Sequence, residues 1–151
     1  ARIPNLKLLL CGEGNERESL IRLRDELGLK DRVRFLGNRE DVAEILKAID
    51  IFVLPSIYEG MSNALLEAMA SSCCCLASDI DENKEVLQDG CNGMLFRRGD
   101  AEDLAKNILI LKDTVIRTRL GSRAHLSVKK NFFIRKVIND FDNLLVNLEL
   151  A

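Results

Sequence analysis

Short apolar runs alternate with amphipathic helical segments along the chain, and this alternation constrains the fold more than any other feature of the sequence. Leu6 to Cys11 (LKLLLC) is an apolar run that ends at Gly12-Glu13-Gly14. Such a run has the pattern of a strand covered on both faces, as in parallel sheets. Arg17 to Leu27 carries Leu20, Ile21, Leu23 and Leu27 at helical spacing, and Gly28 follows where a helix C-cap belongs. Val33, Phe35 and Leu36 make a short strand that stops at Gly37-Asn38. Asp41 to Ala48 is an amphipathic helix, and Ile51 to Leu54 (IFVL) is a buried strand closed by Pro55-Ser56. After a loop from Ile57 to Gly60, the sequence predicts a helix from Ser62 to about Ser71 and a strand from Cys73 to Ala77. A short helix from Asn83 to Gln88 and a brief strand from Met94 to Phe96 come next. From Ala101 the periodicity is helical: Leu104, Ile108 and Leu111, then Val115 to Val128, then a last helix from about Phe133 to Leu150.

Short strands alternating with helices imply parallel βαβ units. Right-handed crossovers then put helices on both faces of the sheet. The expected fold is α/β: an open, doubly wound, Rossmann-like parallel sheet of about five strands, in one domain over residues 1–151. In such sheets ligands bind beyond the carboxyl ends of the strands. That rule selects the loops Cys11–Asn15, Gly37–Arg39, Ser56–Asn63, Ser78–Asn83 and Arg97–Asp100.

A net charge of −2 argues against non-specific nucleic-acid binding, which needs a basic face. No apolar run approaches the roughly 20 residues of a membrane span, so any membrane association is expected to be peripheral. Of the five cysteines, Cys73, Cys74 and Cys75 are consecutive in an apolar stretch, while Cys11 and Cys91 stand apart. Side chains alternate faces along a strand, which suits neither a disulfide framework nor a zinc site. The expected role is that of small buried hydrophobes in a reducing compartment. His125, the one histidine, falls in a polar helical segment and reads as a surface residue.

The segment with most chemistry is PSIYEGMSNALLEAMA, Pro55 to Ala70. Gly60 lets the backbone approach a ligand closely. Ser62 or Asn63 can cap the helix. The amides of Gly60, Met61, Ser62 and Asn63 would then face outward from the positive end of the helix dipole, a ready site for phosphate or sugar hydroxyls. Glu59 precedes the helix and Glu67 lies about one turn inside it. Carboxylates accept hydrogen bonds, so the pair suits a polyol such as a hexose or ribose. The spacing alone also allows a plainer reading, in which Glu59 favours the helix N-terminus and Glu67 is a solvated surface residue.

This segment resembles the signature of the group 1 retaining glycosyltransferases of the GT-B fold, two glutamates separated by seven residues, here Glu59 and Glu67. LKLLLCGEG resembles the family's strand and glycine turn, and RVRFLGNREDVAEILKAIDIFVLPS its next two strands and the helix between them. ASDIDENKEVLQDGCNGMLFRRGDAEDLA resembles the family's stretch after the signature helix. The resemblance implies the C-terminal donor-binding domain of an enzyme that moves a hexose from a UDP- or GDP-sugar to a glycan or lipid-linked acceptor. It implies no metal or other cofactor. It implies a place in the cytoplasm, at the inner face of the membrane, and a role in polysaccharide biosynthesis. Glu59 would contact the hydroxyls of the transferred sugar, and the amides of Gly60 to Asn63 the sugar and diphosphate. Glu67 would hold the ribose hydroxyls, and Gly12 and Gly14 would line the nucleotide cleft.

The sequence departs from the family's pattern at three points. Ser71-Ser72-Cys73 stand where a Gly-Pro pair is usual, and Asp81-Glu82 where two glycines are common. Two carboxylates near a diphosphate are unfavourable, so they are expected to turn to solvent. The family's earlier strand and helix, with an Arg and a Lys that neutralise the diphosphate, has no counterpart here, nor has the N-terminal acceptor domain. The chain alone is therefore expected to be inactive. Other readings are a sugar-nucleotide epimerase or a phosphorylase of the same architecture, and a non-catalytic nucleotide-binding module.

Overall fold

The computed structural model describes residue 3 and residues 5–132, which leaves the expected helix from Phe133 to Leu150 outside the described residues. These residues form two compact units, one through Val42 and one from Ala43 onward.

In the first unit, β1 (Leu8–Cys11) and β2 (Val33–Gly37) are joined through α1 (Arg17–Glu26) and pair in parallel. The ladder is irregular between Leu10 and Cys11, and the Gly12 amide bonds the Gly37 carbonyl at 2.8 Å. Gly12, with φ +110°, takes a backbone conformation that a side chain would strain. The expectation of a strand covered on both faces is corrected here. Leu8 and Leu9 are 44% and 38% exposed, and α1 has no buried residue. One helix over a two-stranded ladder cannot cover both of its faces, whatever the strand's composition.

The second unit opens with α2 (Val42–Ala48), whose first residue belongs to the preceding unit. It continues with β3 (Ile51–Leu54), α3 (Asn63–Ala70), β4 (Cys74–Ser78), α4 (Asp81–Val86), β5 (Met94–Phe96), α5 (Ala101–Ile110) and α6 (Thr114–Asn131). Its strands run parallel in the order β3-β4-β5, with Ile51 opposite Cys74 and Leu76 opposite Met94. Within each ladder, one of two strands and one of three, the strands run parallel and are flanked by helices.

Strand alternation sorts the core. Ile51, Val53, Cys74, Leu76, Met94 and Phe96 pack against Leu104, Ile108, Leu111, Ile116 and Leu120 of α5, α6 and the turn between them. Asp100 caps α5 by accepting from the Asp103 amide at 2.9 Å, and Asp113 caps α6 by accepting from Val115 at 2.8 Å. Arg117 ties this corner to β3. Its guanidinium donates to the carbonyls of Leu111 and Lys112 at the end of α5 and meets Asp50 at 3.1 Å.

Every residue of β4 is buried, and so is Cys73 just before it. Burial pushes the Cys73 thiol up to about 11 and the Cys74 thiol up to about 12, and raises that of Cys75 as well. The small-hydrophobe reading describes these three. It does not describe Cys11, which is exposed at the end of the open strand β1.

α3 is tied to α6 at its C-terminal end. Ser72, just past the helix, has φ +61°, a left-handed conformation that glycine adopts at less cost. Its carbonyl lies against Gly121 of α6, where an added Cβ would stand only 2.1 Å from the oxygen. His125 of α6 is exposed, as expected, and its Nδ1 sits 2.7 Å from the Ala70 carbonyl.

Candidate functional site

The loops at the carboxyl ends of β3, β4 and β5 meet on one side of the second unit. Pro55 ends β3, and the chain then turns through Ser56 to Met61 into α3. Ser62 is the N-cap: its Oγ accepts from the Leu65 amide at 3.3 Å, while Asn63 is the first helical residue. The amides at this helix start have no acceptor within the helix. Gly60, Met61 and Asn63 are exposed around them and Ser62 is buried.

Glu59 is half-buried, and its Oε1 accepts a 2.6 Å hydrogen bond from Ser56 Oγ. That bond holds one carboxylate oxygen within the loop. Glu67 lies four residues beyond Asn63 and so shares its face of α3, in water, opposite the buried Leu65, Ala68 and Met69. Gly12 and Gly14 belong to the first unit. An added Cβ at Gly14 would meet nothing within 4 Å, so the turn's geometry demands glycine at Gly12 and not at Gly14.

A cleft of about 550 Å³ adjoins the Glu59 loop. Ile57 and Tyr58 form its β3 side, Asp79 to Glu82 its β4 side, and Arg97 and Arg98 its β5 side. The expected glutamates and helix-start residues are not in its wall, although Tyr58 is the neighbour of Glu59. The two arginines do not stand out as site residues in the sequence, where their one signal is a place in a strand-end loop. Arg98 crosses the cleft: its backbone amide bonds Asp79 Oδ1 at 2.9 Å and its Nη1 donates to the Ile57 carbonyl at 3.3 Å. Arg97 is held by Asp100 at 2.9 Å.

Asp81 and Glu82 do not form a loop before a helix. α4 starts at Asp81, two residues earlier than expected, so both carboxylates lie in its first turn, where they favour the positive end of the helix. The Asp81 side chain is fully exposed at the cleft's edge, 3.8 Å from Lys84.

A fold of parallel strands with a capped helix and two glutamates beyond the strand ends defines a class, and sequence comparison names it. The model of the family "Glycosyl transferases group 1" matches residues 1–126, and the chain belongs to that family. It is 34% identical over 97% of its length to the lipopolysaccharide core biosynthesis glycosyltransferase LpsE of Rhizobium meliloti, covering 44% of that protein. It is 36% identical over 91% of its length to N-acetyl-alpha-D-glucosaminyl L-malate synthase of Bacillus anthracis, covering 36% of it. Among solved structures, HepE of Anabaena in complex with UDP superposes with a TM-score of 0.90 at 25% identity, over 96% of this chain and 42% of HepE. HepE has also been solved with UDP-glucose. The chain thus spans less than half the length of these relatives.

Proposed function

We propose that the chain is the donor-binding part of a retaining, metal-independent hexosyltransferase that uses a UDP- or GDP-sugar. The observation that carries this reading is the β3–α3 connection. It presents a half-buried carboxylate, Glu59, fixed by Ser56, immediately before a helix start whose amides have no acceptor within the helix. Glu59 would meet the hydroxyls of the transferred sugar, the amides of Gly60 to Asn63 the sugar and diphosphate, and Glu67 the ribose. Gly12 and Gly14 would line the nucleotide cleft. The UDP and UDP-glucose complexes of HepE support a nucleotide-sugar donor. The name of LpsE supports a glycan or lipid-linked acceptor and a role in polysaccharide biosynthesis. In this reading the chain holds one side of the reaction, and turnover needs the acceptor side to bring the second substrate into line.

The test is kinetic, on the full-length protein. Glu59→Gln is expected to lower kcat about 100-fold, the scale of losing one hydrogen bond that matters in a charged transition state. Glu67→Ala is expected to weaken nucleotide binding about tenfold with kcat little changed. Near-normal kinetics for both variants would sink the assignment.

We also propose peripheral contact with an anionic membrane on the cytoplasmic side. Among the described residues no helix is long and apolar enough to cross a membrane. The outward arc of α6 carries Arg119, Arg123, Lys129 and Lys130 with the exposed Val115 and Leu126, and the helix has no acidic residue. Each such cation is worth about 1 kcal/mol near an anionic surface. The protein should therefore sediment with phosphatidylglycerol vesicles, and Arg119→Glu/Arg123→Glu should release it. Equal sedimentation with pure phosphatidylcholine vesicles would refute the electrostatic contact.

A further inference from the structure

We propose that Ser78 and Asn83 are positioning residues that set the orientation of Glu59 through Ser56; this rests on the reading of Glu59 as the sugar contact. Ser78 ends β4 with none of its surface exposed, and Asn83 of α4 is 1% exposed. Polar side chains buried so completely need partners, and theirs lead to the candidate site. Asn83 Nδ2 donates to the Ser78 carbonyl at 2.9 Å and to Ser78 Oγ at 3.3 Å.

A hydroxyl has one hydrogen to give. With Asn83 donating to its oxygen, Ser78 spends that hydrogen on the carbonyl of Ser56, 22 residues earlier in sequence, at 2.6 Å. The Ser56 backbone is thereby fixed against the end of β4. Its own hydroxyl then donates to Glu59 Oε1 at 2.6 Å. The link at Ser56 passes from the backbone carbonyl to the side chain, so the chain of contacts transmits position and not protons. A second tether, from Arg98 to the Ile57 carbonyl, holds the next peptide of the same loop. The outcome is a carboxylate with one oxygen occupied and the other left for a ligand, supported from behind by the buried Ser78 and Asn83. This is the kind of support a pre-organised contact requires.

Ser78→Ala isolates the effect. It removes the hydroxyl but leaves Asn83 its bond to the Ser78 carbonyl, so no buried amide is stranded. Ser56→Ala removes the last link at a half-buried position. The measurement is calorimetric affinity in the full-length protein. The probes are UDP-glucose, UDP-galactose and GDP-mannose, each against its bare nucleotide, and the tightest sugar nucleotide is carried forward. Ser78→Ala and Ser56→Ala should each weaken the sugar nucleotide about tenfold and the bare nucleotide less than twofold. Ser56→Thr, which keeps the hydroxyl, should restore binding. In a Glu59→Ala background, Ser78→Ala should cost nothing further, because the group it positions is already gone. Equal weakening of nucleotide and sugar nucleotide, or losses that add in the double variant, would overturn the positioning role. Should Glu59→Gln alone leave the sugar nucleotide's affinity unchanged, the positioning role falls; should it leave kcat unchanged as well, or should no probe bind, the reading of Glu59 itself falls.

Discussion

Gly121→Ala should lower the melting temperature by about 10 °C, although alanine is the better helix former. Propensity favours the change by about 1 kcal/mol in an exposed helix. The site reverses that sign. The new Cβ would stand 2.1 Å from the Ser72 carbonyl oxygen and 3.0 Å from its carbon, and both are backbone atoms that cannot rotate away. Relief requires α6 to move off the turn between α3 and β4, which disturbs Leu120 and Ala124 on either side, each 1% exposed or less. Overpacking of this kind costs about 3 kcal/mol net, which corresponds to roughly 10 °C for a domain of this size. Ser122→Ala, on the exposed side of the same helix, is the control and should be neutral or slightly stabilising. A Gly121→Ala protein as stable as the wild type would show that α6 does not press on Ser72.

The second large effect is alkaline. Raising the pH from neutral to 10 should remove about 4 kcal/mol of stability through Cys73, Cys74 and Cys75 together. The sign comes from proton counts. In the unfolded chain each thiol titrates near 9.0, whereas in the fold burial holds Cys73 to about 11, Cys74 to about 12 and Cys75 up as well. Below 9 both states are protonated and the thiols have no pH-dependent effect. Above 9 the unfolded chain releases protons that the folded chain retains, so unfolding becomes progressively more favourable. The measurement is the melting temperature from pH 7.5 to 10 for the wild type and for the triple variant Cys73→Ala/Cys74→Ala/Cys75→Ala. The variant should start lower but fall less steeply. Parallel curves would mean that the thiols are not protected by the fold.

The strands are legible where composition and punctuation agree. Ile51–Leu54 carries no polar residue and ends at Pro55, and β3 has those bounds. Met94–Phe96 is likewise β5. The exposure of β1 is not legible, because burial of an apolar run depends on what lies beside it, and sequence pattern reports only suitability. The start of α4 is hidden because Asp81 and Glu82 look like loop residues until their value at a helix N-terminus is counted. Gly121 carries no signal in the sequence for its role, because its reason is a carbonyl 49 residues earlier in the chain. For the candidate site, the strand-end rule selects the three loops that line the cleft, and the pair Glu59 and Glu67 stands out through the family resemblance, because its spacing alone allows a plainer reading. The support beneath Glu59 does not stand out. Ser56, Ser78 and Asn83 are ordinary polar residues, and only the fold brings them together.

One consequence concerns motion. α3 is capped at its start by Ser62 and anchored to α6 at its end by the Ser72–Gly121 contact and His125. A helix anchored in this way makes a fixed platform. In the proposed reading, the adjustments that admit and release the donor fall to the side chains ahead of α3, where Ile57, Tyr58 and Met61 stand more than half exposed. In that stretch the carboxylate of Glu59 is tied to Ser56, while the side chains of Ile57, Tyr58 and Met61 on either side of it stand in water.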